Sequence, residues 1–82
     1  MQIRPINRRV AKQIAKLELE EKFAKQTRIF ELDHSYPSLN TEKLEPKSAG
    51  LYSFRIDQKY RAIFRIRNGA AEIVHISKHY QK

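Results

Sequence analysis

The sequence has no cysteine and no tryptophan, and only two glycines and three prolines among 82 residues. Without cysteine, the chain can form neither a disulfide bond nor a thiolate metal site, and it has no cysteine nucleophile. Three histidines alone lack the usual ligand set of a structural zinc site, so we expect no metal and no cofactor. The core must therefore come from aliphatic side chains, four phenylalanines and four tyrosines.

Acidic residues are also few: nine stand against 17 lysines and arginines, which gives a net charge of +8. Such an excess creates a positive potential that attracts polyanions, of which RNA and DNA are the usual ones. Residues 42–82 hold nine basic and four acidic side chains, whereas residues 1–41 hold eight and five. We therefore expect the anion-binding surface in the C-terminal half, the alternative being a basic protein without any chemistry.

Long apolar runs are absent as well. No segment approaches the roughly 20 apolar residues of a membrane-spanning helix. Residues 1–5 lack the apolar stretch of a secretion signal. These patterns predict a cytoplasmic protein that makes no membrane contact. The length suits one small domain, residues 1–82, and such a chain buries only about 60–65% of its unfolded surface.

The first third of the chain has a helical pattern. Apolar residues recur every three to four positions in residues 6–17, with basic residues between them, which predicts an amphipathic helix with a basic outer face. Either Asn7 caps this helix or Pro5 lies in its first turn. A second apolar stripe covers residues 19–30. No strong breaker separates the two stripes, so we expect a helical hairpin, with one long bent helix as the alternative.

The second half of the chain has a strand pattern. A loop at residues 33–40 ends the helices, and residues 41–45 form a short strand or an irregular segment. From Leu51 onward, apolar and polar residues alternate in three stretches, and Asn68-Gly69 between the last two is typical of a tight hairpin turn. We predict an α+β domain in which a helical hairpin packs on the apolar face of a small, twisted antiparallel sheet.

The opposite face of this sheet carries the groups that metal-free RNA cleavage requires. A base must deprotonate the attacking 2′-hydroxyl, an acid must protonate the leaving 5′-oxygen, and a cation must neutralise the phosphate. Glu42 is a candidate base and His79 a candidate acid, since imidazole exchanges protons near neutral pH. Arg55 and Arg61 are candidates to hold the phosphate, and Tyr80 could stack on a base.

Each of these residues also has an ordinary structural interpretation. Strand arginines are usually solvated, a tyrosine such as Tyr80 is more often part of a core, and Glu42 could pair with a nearby cation. Glu45 competes with Glu42 for the role of base. Two further cations, Lys43 and Arg65, are candidates for phosphate binding.

The ordered set of motifs resembles the RelE/ParE superfamily of toxins from toxin–antitoxin systems. The resemblance covers about half of the chain and is carried by Lys43-Leu44, residues 50–57, residues 60–64 and His79-Tyr80. The predicted helical hairpin agrees with it. The C-terminal part is most similar to the YoeB/Txe branch, whose members are ribosome-dependent mRNA endonucleases.

This resemblance implies a catalytic set of Glu42, Arg61, His79 and Tyr80, with Arg55 as a second phosphate-binding arginine. It also implies a possible short N-terminal edge strand within residues 2–6. The expected partners are a cognate acidic antitoxin, the ribosome with its rRNA, and mRNA. Two alternatives stay open: a ParE-like, non-enzymatic inhibitor of DNA gyrase, and an inactive basic RNA-binding relative.

Overall fold

The computed structural model describes residues 1–78, which form two helices followed by a four-stranded sheet. The helices are α1 (Arg8–Lys16) and α2 (Glu20–Leu32). The strands are β1 (Glu42–Lys43), β2 (Leu51–Arg55), β3 (Tyr60–Arg67) and β4 (Ala70–Lys78). One 3₁₀ turn precedes β1 and another follows it, at Pro37–Leu39 and Lys47–Ala49. The predicted α+β fold is confirmed. No helix within residues 1–78 is long and apolar enough to cross a membrane.

The two helices form a hairpin with a defined start and a defined bend. The side chain of Asn7 accepts a hydrogen bond of 2.8 Å from the backbone N–H of Val10, so Asn7 is the N-cap of α1 and Pro5 lies outside the helix. After α1, Glu18 adopts a positive φ of 55°. This left-handed residue reverses the chain before α2, which excludes the alternative of one long helix.

The sheet is an antiparallel meander in the order β1-β2-β3-β4. Between β3 and β4, Asn68 and Gly69 both have positive φ angles, as the predicted hairpin turn requires. On the outer side of β4, Ile3 forms a single parallel bridge with Ala71. The N-terminal edge strand that the resemblance implies is therefore present as one bridge.

A β-bulge changes the facing of residues in β4. Ile63 pairs with His75 and Phe64 with Ile73, which leaves Val74 as the extra residue. Strict alternation would place Val74 and Ile76 on one face of β4 and Ile73 on the other. The bulge instead places both isoleucines in the core, where they are almost fully buried.

The core lies between the helices and the apolar face of the sheet, as predicted. Phe30 of α2 contacts Phe54 of β2 and Phe64 of β3, with ring centroids 5.1 and 5.2 Å away. Around these rings, Val10 of α1 and Leu39 of the first 3₁₀ turn are completely buried. One aromatic cluster thus joins α2 to the two central strands.

Two glutamines tie the helices to the strands. Gln26 of α2 is buried. Its Nε2 donates hydrogen bonds to the backbone carbonyls of Arg55, at 2.7 Å, and of Ser38, at 3.4 Å. Oε1 of Gln13, in α1, accepts a hydrogen bond of 3.1 Å from the backbone N–H of Ile76. Its Nε2 lies 3.1 Å from Nδ1 of His75. These contacts fix the helices relative to the ends of β2 and β4.

The aromatic cluster predicts a stability difference between two positions of the same helix. Phe30→Ala should lower the free energy of unfolding by about 3–5 kcal/mol, because it leaves a cavity beneath the sheet. Leu32→Ala, at a side chain that is 84% exposed, should change it by less than about 0.5 kcal/mol. Urea unfolding of both variants checks this difference, and similar losses for both would contradict the described core.

The turn between β2 and β3 predicts a pH effect. Burial raises the pKa of Asp57, but hydrogen bonds from the N–H groups of Lys59 and Tyr60, together with Lys22, outweigh this and lower it overall. Asp57 therefore stabilises the fold above its unfolded-state pKa of about 3.9, and that contribution is lost as the pH falls through the lower folded-state value.

We expect Asp57→Asn to unfold more easily than the parent chain at pH 7, and the difference to shrink as the pH falls below about 4. Urea titrations of the two proteins across this pH range measure it. A difference that stays constant down to the acid end would show that the charge of Asp57 contributes nothing to stability.

Candidate functional site

A small cleft lies on the face of the sheet that points away from the aromatic core. Strand pairing aligns Glu42 with Ser53 and Ser53 with Ile63, while Arg61 pairs with Ser77 on β4. These positions alternate with the buried Phe54, Ala62 and Phe64, so their side chains share the opposite face. The cleft has a volume of about 170 Å³ and is lined by Glu42, Leu44, Ser53, Arg61, Ile63, Ser77 and Lys78.

Arg61 is the floor of this cleft and is only 5% exposed. Its Nε donates 2.8 Å to the hydroxyl of Ser53. Its Nη2 donates to the backbone carbonyls of Ser53, at 3.3 Å, and of Asn40. Within residues 1–78, Nη1 has no hydrogen-bond partner. Three contacts therefore hold the guanidinium in one orientation while part of its donor capacity stays unused.

The electrostatics of Arg61 suit an anion. Burial lowers the pKa of Arg61, the carboxylate of Glu42 raises it and the nearby Arg55 lowers it further. An arginine guanidinium stays protonated in proteins, so Arg61 is a permanent buried cation. Within residues 1–78, Glu42 is the one carboxylate that lines the cleft. A buried cation with this limited compensation favours binding of a second anion, such as a phosphate.

Glu42 lies at the rim of the cleft. It begins the two-residue strand β1, is exposed to solvent, and its Oε1 is 3.5 Å from the side-chain amide of Asn40. An exposed carboxylate beside a buried arginine can approach a ligand held by that arginine. Glu45, the competing candidate, is not among the residues that line the cleft.

Arg55 flanks the cleft on the neighbouring strand. It pairs with Arg61 in the β2–β3 register, and its side chain is half-buried. Two arginines at paired positions repel each other, and an anion bound between them would relieve that repulsion.

Two of the predicted cations lie elsewhere. Nζ of Lys43 lies 5.6 Å from the ring centroid of Tyr52, which stacks on Phe64 on the helix-facing side of the sheet. Arg65 forms an ion pair with Glu72, at 2.6 Å, and lies four residues from Arg61, about 13 Å along β3. Neither lines the cleft. Their roles in phosphate binding stay predictions.

The last two predicted catalytic residues, His79 and Tyr80, lie outside the described residues. Strand β4 is described as far as Lys78, and both Ser77 and Lys78 line the cleft. Among residues 1–78, no three side chains of histidine, aspartate or glutamate come together as a metal centre requires.

Sequence reasoning missed the residues that orient Arg61. Ser53 is a small polar residue between Tyr52 and Phe54, and strand alternation could have placed it on the face of the sheet that carries Arg61. Asn40 contributes through its backbone carbonyl, which no residue type reveals. The residue type is the one local signal: asparagine tolerates the left-handed region, and Asn40 adopts it with a φ of 44°.

Comparison with known proteins bears on the fold. No family model and no curated protein matches the sequence. Among solved structures, the chain is similar to a YoeB/ParE toxin from Agrobacterium tumefaciens, with a TM-score of 0.68 and 19% sequence identity. The match covers 98% of this chain and 100% of that one. The chain therefore has the α+β fold of this YoeB/ParE toxin, the fold that the sequence resemblance implied.

Proposed function

We propose that this chain is the toxin component of a type II toxin–antitoxin system, in the YoeB/Txe branch of the RelE/ParE superfamily. In this proposal it is a ribosome-dependent mRNA endonuclease that inhibits translation. The observation that carries the proposal is the buried guanidinium of Arg61, held beside the exposed carboxylate of Glu42 in one small cleft. The fold shared with a protein named as a YoeB/ParE toxin supports it.

The proposed reaction needs no metal ion. Glu42 takes the proton of the 2′-hydroxyl, whose oxygen attacks the adjacent phosphorus. Arg61, assisted by Arg55, binds the non-bridging oxygens, on which negative charge accumulates. His79 protonates the departing 5′-oxygen, and Tyr80 stacks on a base or orients the phosphate. The products are a 2′,3′-cyclic phosphate and a 5′-hydroxyl end.

The small size of the cleft supports a mechanism in which another molecule positions the substrate. A volume of about 170 Å³ leaves room for a phosphate group but not for a long RNA segment. In this proposal the ribosome presents the mRNA, and so supplies much of the orientation that catalysis requires. Helix α1 offers a contact with rRNA, because its four exposed cations have no acidic residue among them: Arg8, Arg9, Lys12 and Lys16. This contact should weaken steeply with salt.

The proposed antitoxin is acidic and partly disordered. Its carboxylates would occupy the sheet face with Arg55 and Arg61, which the RNA phosphates use in this proposal. Its chain would wrap around the basic helix α1. It would be encoded by the neighbouring open reading frame. In the same proposal the protein acts in the cytoplasm, where the ribosomes are.

Variants of the proposed catalytic residues test the chemistry. Glu42→Gln, Arg61→Lys and His79→Ala should each lower the rate of mRNA cleavage on programmed ribosomes by about a hundredfold or more, since each removes one of the cooperating groups. Arg61→Lys keeps the positive charge but loses the planar fork that grips two oxygens. Primer extension on the cleaved mRNA measures the rate.

The matched control is Arg67→Ala. This residue belongs to the same strand as Arg61, but it is exposed, pairs with Glu72 and does not line the cleft. Its loss should leave cleavage within about twofold of the parent. If Glu42→Gln, Arg61→Lys and His79→Ala, correctly folded by circular dichroism, all cleave as fast as the control, the assigned chemistry is wrong.

Expression with and without the neighbouring open reading frame tests the biological role. Alone, the chain should arrest growth and leave mRNA fragments that end in a 2′,3′-cyclic phosphate; co-expression of the neighbour should restore growth. An SOS response with intact mRNA would replace this proposal with gyrase inhibition. Normal growth on expression alone, with the protein present, would point to an inactive relative.

A further inference from the structure

A second pocket adjoins the catalytic cleft. It lies in the connection between α2 and β1, has a volume of about 560 Å³ and is lined by His34, Ser35, Tyr36, Pro37, Asn40 and Thr41. Apart from the carbonyl of Asn40, which holds Arg61, the connection has no role in the proposed chemistry. Its exposed aromatic side chain is Tyr36, which is 50% exposed.

The walls of this pocket are held by their own hydrogen bonds. Oδ1 of Asp33 accepts bonds from the N–H and hydroxyl of Ser35, at 3.0 and 2.6 Å. The hydroxyl of Thr41 donates 2.8 Å to the carbonyl of His34 and so closes the loop on itself. Asp33 is absent from the lining, so among the described residues no acidic side chain that would repel a nucleic acid lines the pocket.

Asn40 joins the pocket to the cleft. It lines the pocket, while its carbonyl accepts a hydrogen bond from Nη2 of Arg61 and its side-chain amide points to Glu42 at 3.5 Å. A phosphate bound by Arg61 would therefore lie on one side of Asn40, with the pocket on the other side of that residue. In an RNA chain, the groups that follow a phosphate directly are the sugar and base of the adjoining nucleotide.

The lining has the two properties that single-stranded bases require. Aromatic side chains offer a face on which any base can stack, and Tyr36, with His34 beside it, provides such a face. The side-chain amide of Asn40 can donate to and accept from the edge of a base, and the hydroxyl oxygen of Ser35, whose hydrogen is donated to Asp33, can accept from it.

We infer that this pocket binds the nucleobase next to the scissile phosphate, with Tyr36 as the stacking platform and Asn40 as the group that reads its edge. The inference rests on the proposed function and deepens it, because it names the residues that set the base preference of cleavage. Arg61 then binds the phosphate and Tyr36 the neighbouring base of the same RNA chain, and Asn40 lies between the two.

Substitutions at Tyr36 test the stacking. On ribosomes programmed with a defined codon in the A site, Tyr36→Ala should lower the single-turnover cleavage rate at sub-saturating protein by about tenfold or more. Tyr36→Phe keeps the ring and should stay within about twofold of the parent. The control is Leu32→Ala, which removes another exposed apolar side chain nearby but outside the pocket, and should leave the rate unchanged.

Asn40→Gly tests the reading of the base. Glycine accepts the left-handed backbone of Asn40 and keeps the carbonyl that Arg61 needs, so only the side-chain amide is lost. Sequencing of the cleaved ends across a codon library should show a weaker or altered base preference among the ends that are formed, whatever the overall rate, because the lost amide also lies 3.5 Å from Glu42. If Tyr36→Ala and Asn40→Gly both cleave with the rate and preference of the parent, the inference is overturned.

Cross-linking separates this inference from the proposed function. An mRNA with a 2′-deoxy nucleotide at the scissile position, which cannot be cleaved, carries 4-thiouridine at the adjoining position. We expect ultraviolet light to cross-link it to residues 34–41 in the parent chain and less in Tyr36→Ala. Cross-links that fall only elsewhere would overturn the pocket inference even where the parent chain cleaves mRNA. A parent chain that cross-links at the pocket but cleaves no mRNA would overturn the endonuclease proposal alone.

Discussion

The buried guanidinium of Arg61 is the constraint on which the candidate site depends. A charged group that is 5% exposed is stable only if its donors are satisfied and its charge is compensated. Ser53 and the carbonyl of Asn40 satisfy Nε and Nη2, Nη1 has no partner within residues 1–78, and Glu42 compensates part of the charge. Because these partners come from β2, β1 and the preceding loop, the same interaction that orients the arginine also brings the separate pieces of the site together.

The rest of the fold keeps those pieces in place. The aromatic cluster around Phe30 fixes α2 on the central strands, and Gln26 then binds the carbonyl of Arg55 and the loop at Ser38. The loop that supplies Asn40 is thereby positioned from the helix side as well as from the sheet. A small domain without disulfides thus holds a polar site by packing it over a dense apolar layer.

Much of this arrangement could be predicted from local patterns. The hairpin at Asn68-Gly69 and the basic surface of α1 depend on residues that are neighbours in sequence, and both predictions were confirmed. For the start of α1, the sequence left Asn7 and Pro5 as alternatives, and the structure has Asn7 as the cap. The bulge at Val74 was not predictable, because strand alternation assumes one residue for one partner. Similarly, alternation placed Arg65 on the face of Arg61, but its distance and its pairing with Glu72 depend on the sheet register.

By itself, the sequence determined the order of elements, the apolar face of the sheet and the chemical groups available for RNA cleavage, since these follow from residue type and spacing. Alternation also separates Lys43 from Glu42, because adjacent strand residues face opposite ways. Only the tertiary structure decided that Arg61 is buried, that Ser53 and Asn40 hold it, and that a second pocket opens beside it at Tyr36. The physical reason is that these contacts join residues 8 to 21 positions apart, and backbone carbonyls, which every residue carries, take part in them.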